Sequence, residues 1–567
     1  MNSLSEKTSE KLLVTNALLY ANGHMHLGHL LGYIQADIWV RVQKSLGKTC
    51  YYICGDDAHG TPIMTNAKKN NLTPEEFIKQ FYTSHLQDFS DFSINFDYYG
   101  TTHSSENQEL TEQIYNTLKN NGHIITKTIA QAFDPVENMF LPDRFIKGDC
   151  PKCSAADQYG DNCEYCGATY NPTDLNNPKS VLSGATPITK QSEHYFFNLP
   201  DFTQMLEEWI TQGHLQSEIS SKLKEWFNAG LQPWDISRDG PYFGFKIPNT
   251  DNKFFYVWLD APIGYIACFK QFCEQQNLDF VSYWTEPNQN HKQEYSKIIH
   301  FIGKDITYFH ALFWPAVLTG AGYKKPDQIY VNGFLTVNGK KMSKSRGTFI
   351  QARTYLNHLN SEYLRYYFAS KLSKQVEDLD LNLTDFVQKV NSDLIGKLVN
   401  IASRCSGFIN KQFGNTLSSN LKIPNATTDL YQEFVNKTDM IINYYLNIEF
   451  SAAIKEIMGL ADKANQFIDL YKPWALMKQE DPTSRELTHI VCSMGINLYR
   501  VLISFLSPVL PKLSEKSALF LNSTTSNNWR DLANPLVNHK INTFEPLLSR
   551  IDSVKIEAIL NDSKNFT

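Results

Sequence analysis

Three histidines, His24, His26 and His29, fall within the stretch YANGHMHLGHLLGYIQAD at residues 20–37. Imidazole is the commonest metal ligand, so a metal site is one reading. A phosphate site is the other, and the flanking residues bear on the choice. Residues 12–18, LLVTNAL, read as a short buried strand, while Leu31, Ile34, Ile38 and Val42 recur at helical spacing after Gly28. The histidines thus occupy a strand-to-helix turn, where unpaired N–H groups and the positive end of the helix dipole attract an anion. Gly28 has no side chain to keep a nucleotide off the backbone. No carboxylate or cysteine stands nearby as a further ligand, which favours phosphate over metal.

Two more clusters could do chemistry. The run CPKCSAADQYGDNCEYCG, starting at residue 150, holds the pairs Cys150/Cys153 and Cys163/Cys166. Each Cys-x-x-Cys can form a tight knuckle, and four thiolates complete a closed tetrahedral zinc site with no open position for substrate. Its role is structural. The alternative, ordinary core or surface cysteine, leaves the paired spacing without a reason. The second cluster, NGKKMSKSRGTFI at 338–350, brackets Lys340, Lys341, Lys344 and Arg346 between Gly339 and Gly347. Alone it reads as a solvated charge run. Across a sheet from a nucleotide site it becomes a cationic cover for polyphosphate, with Lys344 neutralising a leaving pyrophosphate.

The elements that must hold these groups follow from patterning. At 567 residues the chain is too long for one core. TCYYICGDDAHGTPI (49–63) is strand-like and delivers Asp56, Asp57 and His59 to the carboxyl edge of a parallel sheet. Residues 117–235 change character, with the knuckles and short aromatic strands such as SEHYFFNLP, and form an inserted subdomain. Alternation resumes with KFFYVWLD (253–260) as a strand, a helix from about 262, IIHFIG (298–303), a helix over about 307–320, and QIYVNGFLTV (328–337). The fold class is therefore α/β, one doubly wound domain over 1–116 and 236–384 split by the insertion. Residues 385–535 are helical throughout and form a bundle, and 536–567 is a tail without clear pattern. Trp258, Pro262, Tyr265, His310 and Trp314 fall on segments meeting at the carboxyl edge, where aromatic rings suit a polarizable thioether and a tyrosine hydroxyl donates weakly to sulfur. For any one of these rings, core packing is the competing reading.

A net charge of −6 does not advertise nucleic-acid binding, so any RNA contact must come from local patches. Ten cysteines argue for thiols or metal rather than disulfides. The N-terminus lacks a signal-peptide layout, and no uninterrupted apolar run reaches spanning length; the nearest, VLISFLSPVL, is short and holds a proline. A soluble cytoplasmic protein with no membrane partner is expected.

HLGH at 26–29 looks like the His-Ile-Gly-His signature of class I aminoacyl-tRNA synthetases, and KMSKS at 341–345 matches their second signature letter for letter. With YANG, DDAHGTPI, the two knuckles, YVWLDAPIGY, FIGKDI and KMSKSRGT, essentially the whole chain resembles the bacterial four-cysteine methionyl-tRNA synthetase family. Leu19 departs from the family's usual proline before Tyr20, which bears on the conformation of that loop.

The resemblance implies a Rossmann-type catalytic domain with a zinc-binding insertion and an α-helical anticodon-binding domain. It implies activation of methionine by ATP to methionyl-adenylate and pyrophosphate, then transfer to the 3′ end of initiator and elongator methionine tRNA. The substrate carboxylate attacks the α-phosphorus, so catalysis is positioning and charge stabilisation. The resemblance makes His26, His29 and Lys344 catalytic, with Gly28, Gly303, Lys304, Asp305 and Lys341 also on ATP and Mg2+ accompanying it. It sets Leu18, Tyr20, Ile306, Trp258, Pro262, Tyr265, His310 and Trp314 around the methionine side chain, with Asp57 on its ammonium. Asn400 and Arg404, spaced i,i+4, and Trp474 would read the anticodon. A monomer is expected for this chain, with a homodimer where a gene carries a further C-terminal domain. Two competitors are a nucleotidyltransferase acting on a small cofactor precursor and a non-catalytic synthetase-like RNA-binding protein. The helical domain argues against the first and the intact HLGH and KMSKS against the second.

Overall fold

The run KLLVTN forms a strand buried on both faces, as a central strand of a parallel sheet must be. The computed structural model describes residues 10–285, 296–342, 348–424, 429–479, 481–523 and 529–564; Lys344 and Arg346 lie outside these. The main sheet has six strands: β1 (Lys11–Asn16), β2 (Leu19–Tyr20), β3 (Thr49–Asp57), β4 (Tyr98–Thr101), β5 (Ser296–Gly303) and β6 (Gln328–Asn332). Their order is β6–β5–β1–β3–β2, with β4 beside β3, and every pairing is parallel. The chain builds outward from β1 in one direction through β3 and β4, then in the other through β5 and β6. The crevice outside the carboxyl ends of β1 and β5 is the switch point where such sheets take ligands.

Register brings the chemistry to that edge. Leu19 pairs with Asp56 and Tyr20 with Asp57, while Gly303 ends β5 opposite Asn332. Leu19, in the place of the expected proline, is buried in this ladder. Helix α1 (Leu27–Ser45) buries the predicted face of Leu31, Ile34, Ile38 and Val42, and Leu30 beside it. Helix α2 (Pro74–Asp91) starts at a reciprocal Thr73–Glu76 cap with proline in its first turn.

Two expectations fail beyond β4. In KFFYVWLD only Lys253–Phe255 is extended, pairing antiparallel with Ser237–Asp239 outside the main sheet. Helix α3 (Val257–Gln276) starts before the expected residue 262 and takes in Trp258. Leu259, Ile263, Ile266 and Ala267 are buried at helical spacing, and a short aromatic run cannot be told from a buried helix by composition alone. The helix expected over about 307–320 is present and continuous to Ala321, preceded by one turn at Lys304–Ile306 and widened to a π turn at Phe309–Phe313 before the α-helix at Trp314–Ala321. Such π turns are often found at functional sites.

Between β4 and α3, strands Ile124–Asp134 and Ile188–Phe197 pair antiparallel along their length. A small sheet of Ile146–Asp149, Gln158–Tyr159 and Asn176–Ser180 carries the cysteines. From Leu383 to Leu521 the described residues are mainly helical, including α4 (Asn400–Gln412), α5 (Phe450–Tyr471) and α6 (Pro482–Leu506). Helix α6 is long and apolar enough to cross a membrane, although no uninterrupted apolar run was expected to reach that length; 83% of its apolar window is buried inside the bundle. The tail has order the sequence did not signal. Ile541, Leu547 and Ile551 are buried, a helix spans Ser553–Lys564, and Asp562 pairs with His358 at 2.7 Å. Buried Arg365 ties sheet to bundle, donating to Asp37 at 2.6 Å and to the carbonyls of Val509 and Phe92.

Candidate active site

The HLGH turn is organised by its own histidines. His26 is the N-cap of α1 and its Nδ1 accepts from the Gly28 N–H at 3.1 Å. The His29 Nδ1 in return accepts from the His26 N–H at 3.4 Å, and the two rings stack with centroids 3.6 Å apart. Both Nδ1 atoms being acceptors, each neutral ring carries its proton on Nε2. Burial lowers the His26 pKa to about 4. Burial, with the charges of His26 and His85, holds His29 well below its ordinary value. The pair is thus two neutral N–H donors at a helix N-terminus whose first turn contains no acid. A carboxylate in that turn would repel phosphate.

The second signature begins beside the first. A Cβ on Gly28 would come within 2.5 Å of the Met342 methyl, so a side chain there would push that methyl off the turn. The segment after the signature is laced to the turn by Leu27 N–H to the Ile350 carbonyl at 3.0 Å and Ala352 N–H to the Met25 carbonyl at 2.8 Å. Phe349 packs edge-on against His26. Lys341 is exposed on the hairpin leading into the signature.

A cavity of about 130 Å³ opens at the carboxyl edge, lined by Leu18, Asp57, Trp258, Pro262, Tyr265, Ile306 and His310 together with Ala17, Ala261 and Phe309. Tyr20 lines an adjoining cavity of about 610 Å³ that shares Asp57 and Trp258. Trp314 is not on the wall. It is fully buried, and its indole donates to His300 Nε2 at 3.2 Å. The Asp57 Oδ1 is buried with no partner among the described residues. Burial, reinforced by the charges of Asp260 and Asp56, pushes its carboxyl well above the usual range. Such an atom suits a cationic ligand.

The wall hydrogen bonds fix proton positions. The His310 Nδ1 must donate to the Ile306 carbonyl at 3.1 Å, so Nε2 accepts the Tyr265 hydroxyl at 2.9 Å. Burial lowers His310 to about 4, keeping it neutral. The hydroxyl proton that was expected to reach sulfur is therefore committed to His310. Behind it, His300 accepts from Trp314 and must donate to Thr15 Oγ1 at 2.5 Å. His300 had no sequence signal beyond its place in an apolar strand.

At the end of β5, a Cβ on Gly303 would meet Asp305 Oδ1 at 2.7 Å, so a side chain there would displace the Asp305 carboxylate from its present position. Lys304 turns away to Asp378 at 2.5 Å and lies over the Phe334 ring. His59 pairs with buried Asp260 and with His103 at 3.0 Å, an interior network rather than a free edge group.

The four cysteine sulfurs lie within 4.8 Å of one another, with Cys150 and Cys166 3.8 Å apart and Cys153 and Cys163 3.6 Å apart. A tetrahedral metal with bonds of about 2.3 Å to sulfur sets its ligands roughly 3.8 Å apart, so the cluster fits zinc. Backbone N–H groups of Lys152, Cys153 and Cys166 donate to the sulfurs. On α4, Arg404 lies over the Trp474 ring at 4.7 Å and pairs with Asp469 at 2.5 Å, while Asn400 donates to Asn465 at 3.3 Å. The three residues named for the anticodon thus share one surface, with Trp474 39% exposed.

A family model described as tRNA synthetases class I (M) matches residues 12–406. A methionine–tRNA ligase of Vesicomyosocius okutanii subsp. Calyptogena okutanii (strain HA) is 57% identical over 98% of this chain and 100% of its own. One of Francisella tularensis subsp. holarctica (strain OSU18) is 56% identical over 98% of this chain and 81% of its own. Among solved structures, Mycobacterium tuberculosis methionyl-tRNA synthetase bound by methionyl-adenylate superposes with a TM-score of 0.76, at 18% identity, over 95% of this chain and 100% of that one. The apo form of that protein gives 0.70 over 96% and 99%. These structures speak for the fold; the family model and the two ligases show that the chain belongs to the class I methionyl-type tRNA synthetases.

Proposed function

We propose that this protein is a methionine–tRNA ligase, making methionyl-adenylate from methionine and ATP and passing the methionyl group to the 3′ end of initiator and elongator methionine tRNA. The observation that carries it is one cavity, lined by a buried unpaired carboxylate, aromatic rings and two rings with fixed protons, in a family member whose HLGH turn presents two neutral donors. Asp57 takes the ammonium of methionine. Trp258, Tyr265, Pro262, Leu18, Ile306 and His310 enclose its side chain, Tyr20 closes the side toward the larger cavity, and Trp314 supports Tyr265 from behind at a ring distance of 6.4 Å. Polarizable rings hold a thioether without a strong hydrogen bond.

No protein nucleophile is needed, because the substrate carboxylate attacks the α-phosphorus. His26 and His29 donate from Nε2 to phosphate oxygens as charge builds on them, with Lys341 and Lys344 meeting the departing pyrophosphate. Gly303 and Asp305 hold the ribose, and Lys304 exchanges Asp378 for a nucleotide oxygen. Mg2+ enters with ATP and shields its phosphates. Zinc on Cys150, Cys153, Cys163 and Cys166 holds the insertion in shape. The helical part reads the anticodon with Asn400, Arg404 and Trp474, and the boundaries read from sequence divide these tasks. The chain acts as a cytoplasmic monomer of 65.0 kDa. Charging of methionine tRNA with labelled methionine tests this reading; ATP-dependent label on that tRNA supports it, and label on none overturns it.

A further inference from the structure

Helix α2 contributes a histidine that the reaction described above does not use. His85 is fully buried, and both its ring nitrogens face oxygen: Nδ1 lies 2.9 Å from Asp56 Oδ1 and Nε2 2.9 Å from the Gly23 carbonyl. A carbonyl only accepts, so Nε2 carries a proton. Asp56 Oδ1 also accepts the Tyr99 hydroxyl, as an oxygen already crowded with donors, and this leaves Nδ1 as a second donor. Only the imidazolium supplies both protons. Its partners are separated in the chain yet matter together. Gly23 lies three residues before His26, and Asp56 precedes Asp57 on β3. One turn along α2, Asp88 binds Arg353 at 2.5 Å, on the segment that also bonds the loop through Ala352 and Met25.

We propose that His85 is a positioning residue of the nucleotide site, a buried imidazolium that locks the loop at 21–27 onto β3 and sets a fixed positive charge behind His26 and His29. This rests on the reading of that loop as the ATP phosphate site. The titratable and charged groups facing it are Asp56 on β3, Asp88 on its own helix with Arg353 beyond, and neutral His29 on α1; His24 in the loop acts on it through Asp88 and Tyr99 on β4 through Asp56. Burial lowers its pKa, but its hydrogen bonds to the Asp56 carboxylate and the Gly23 carbonyl and the charges of Asp56 and Asp88 outweigh burial, and the net shift is upward. The fixed charge also helps to keep His29 unprotonated.

Two measurements on the full chain test this. In nitrogen-15 spectra of histidine-labelled protein at about pH 6, the ring whose signals His85→Gln removes should show both nitrogens protonated, as should His194, whose nitrogens also face carboxylates. A single protonated nitrogen on that ring overturns the proposal. In methionine-dependent ATP–pyrophosphate exchange, His85→Gln should lower kcat on the order of 100-fold, the effect of displacing a positioned group. Methionine Kd, read from tryptophan fluorescence without ATP, should move less than about threefold. Exchange within about threefold of the unaltered chain overturns the role, as does a loss confined to methionine binding. If His85→Gln does not fold, the His85 ring is assigned in the unaltered chain by its contact with the Phe81 ring, and its protonation decides. An unaltered chain that exchanges with no amino acid fails at the proposed function, which separates that failure from this one.

Discussion

Asp57→Asn should move binding and stability in opposite directions. The carboxyl is buried beside the 130 Å³ cavity with Oδ1 unpartnered, and burial with the nearby Asp260 and Asp56 charges raises its pKa. In the free protein this group binds its proton at pH values where the unfolded chain has released it. Its contribution to stability therefore falls as pH rises above the unfolded value of about 4 toward the folded one. Asparagine removes that penalty, so free Asp57→Asn should melt no lower than the unaltered protein at pH 7 and should lose part of the pH dependence. Methionine supplies the missing cation. Deleting one partner of a buried hydrogen-bonded charge pair costs about 2–5 kcal/mol, and asparagine keeps an accepting oxygen, so about 3 kcal/mol is expected. That is roughly a 150-fold rise in methionine Kd. Tryptophan fluorescence is the assay, because Trp258 lies on the cavity wall and Trp234 stacks on it at 5.7 Å. Methionine affinity within about fivefold of the unaltered protein, or a variant that melts lower with binding intact, would refute the reasoning.

The remaining predictions follow from the same geometry. His26→Ala and His29→Ala should each cost about 3 kcal/mol of transition-state stabilisation, roughly 150-fold in exchange kcat. Since His26 titrates near 4 and His29 is lowered further from its ordinary value by burial, neither should give the unaltered enzyme an acid limb between about pH 8 and pH 5, which a rate profile checks. Cys163→Ala should release the metal, measured by elemental analysis, and open the segment around Ile146–Ser180 to protease; zinc binding on the order of 10 kcal/mol is at stake there. Trp474→Ala should remove a stacking surface of about 1–3 kcal/mol and raise the KM for tRNA roughly 5- to 150-fold, with exchange measured without tRNA as the control.

What the sequence disclosed depended on how local each signal was. The cysteine pairs and the HLGH turn are short-range patterns, and knuckle spacing or a strand-to-helix turn nearly specifies its own geometry. The doubly wound sheet was legible because LLVTN and IIHFIG are continuous apolar runs, which strands buried on both faces require. VWLD misled because aromatic and branched residues suit strands, while burial against the sheet decided for helix. Trp314 was named for the right neighbourhood but for the wrong contact, since its partner His300 sits on another element. His85 carried no signal at all: within PEEFIKQFYTSHLQDFSD it is one polar residue on a buried face, and its partner Gly23 is 62 positions away. Only the folded register of β3 against β2 and the loop after it reveals that pairing.

The most direct test of the central claim is ATP–pyrophosphate exchange by the purified zinc-loaded chain, with each amino acid in turn and without tRNA. Exchange with methionine far above all others is predicted, because the cavity offers an ammonium partner and a polarizable apolar wall together. Absence of exchange with any amino acid, or equal exchange with leucine and methionine, would contradict the account.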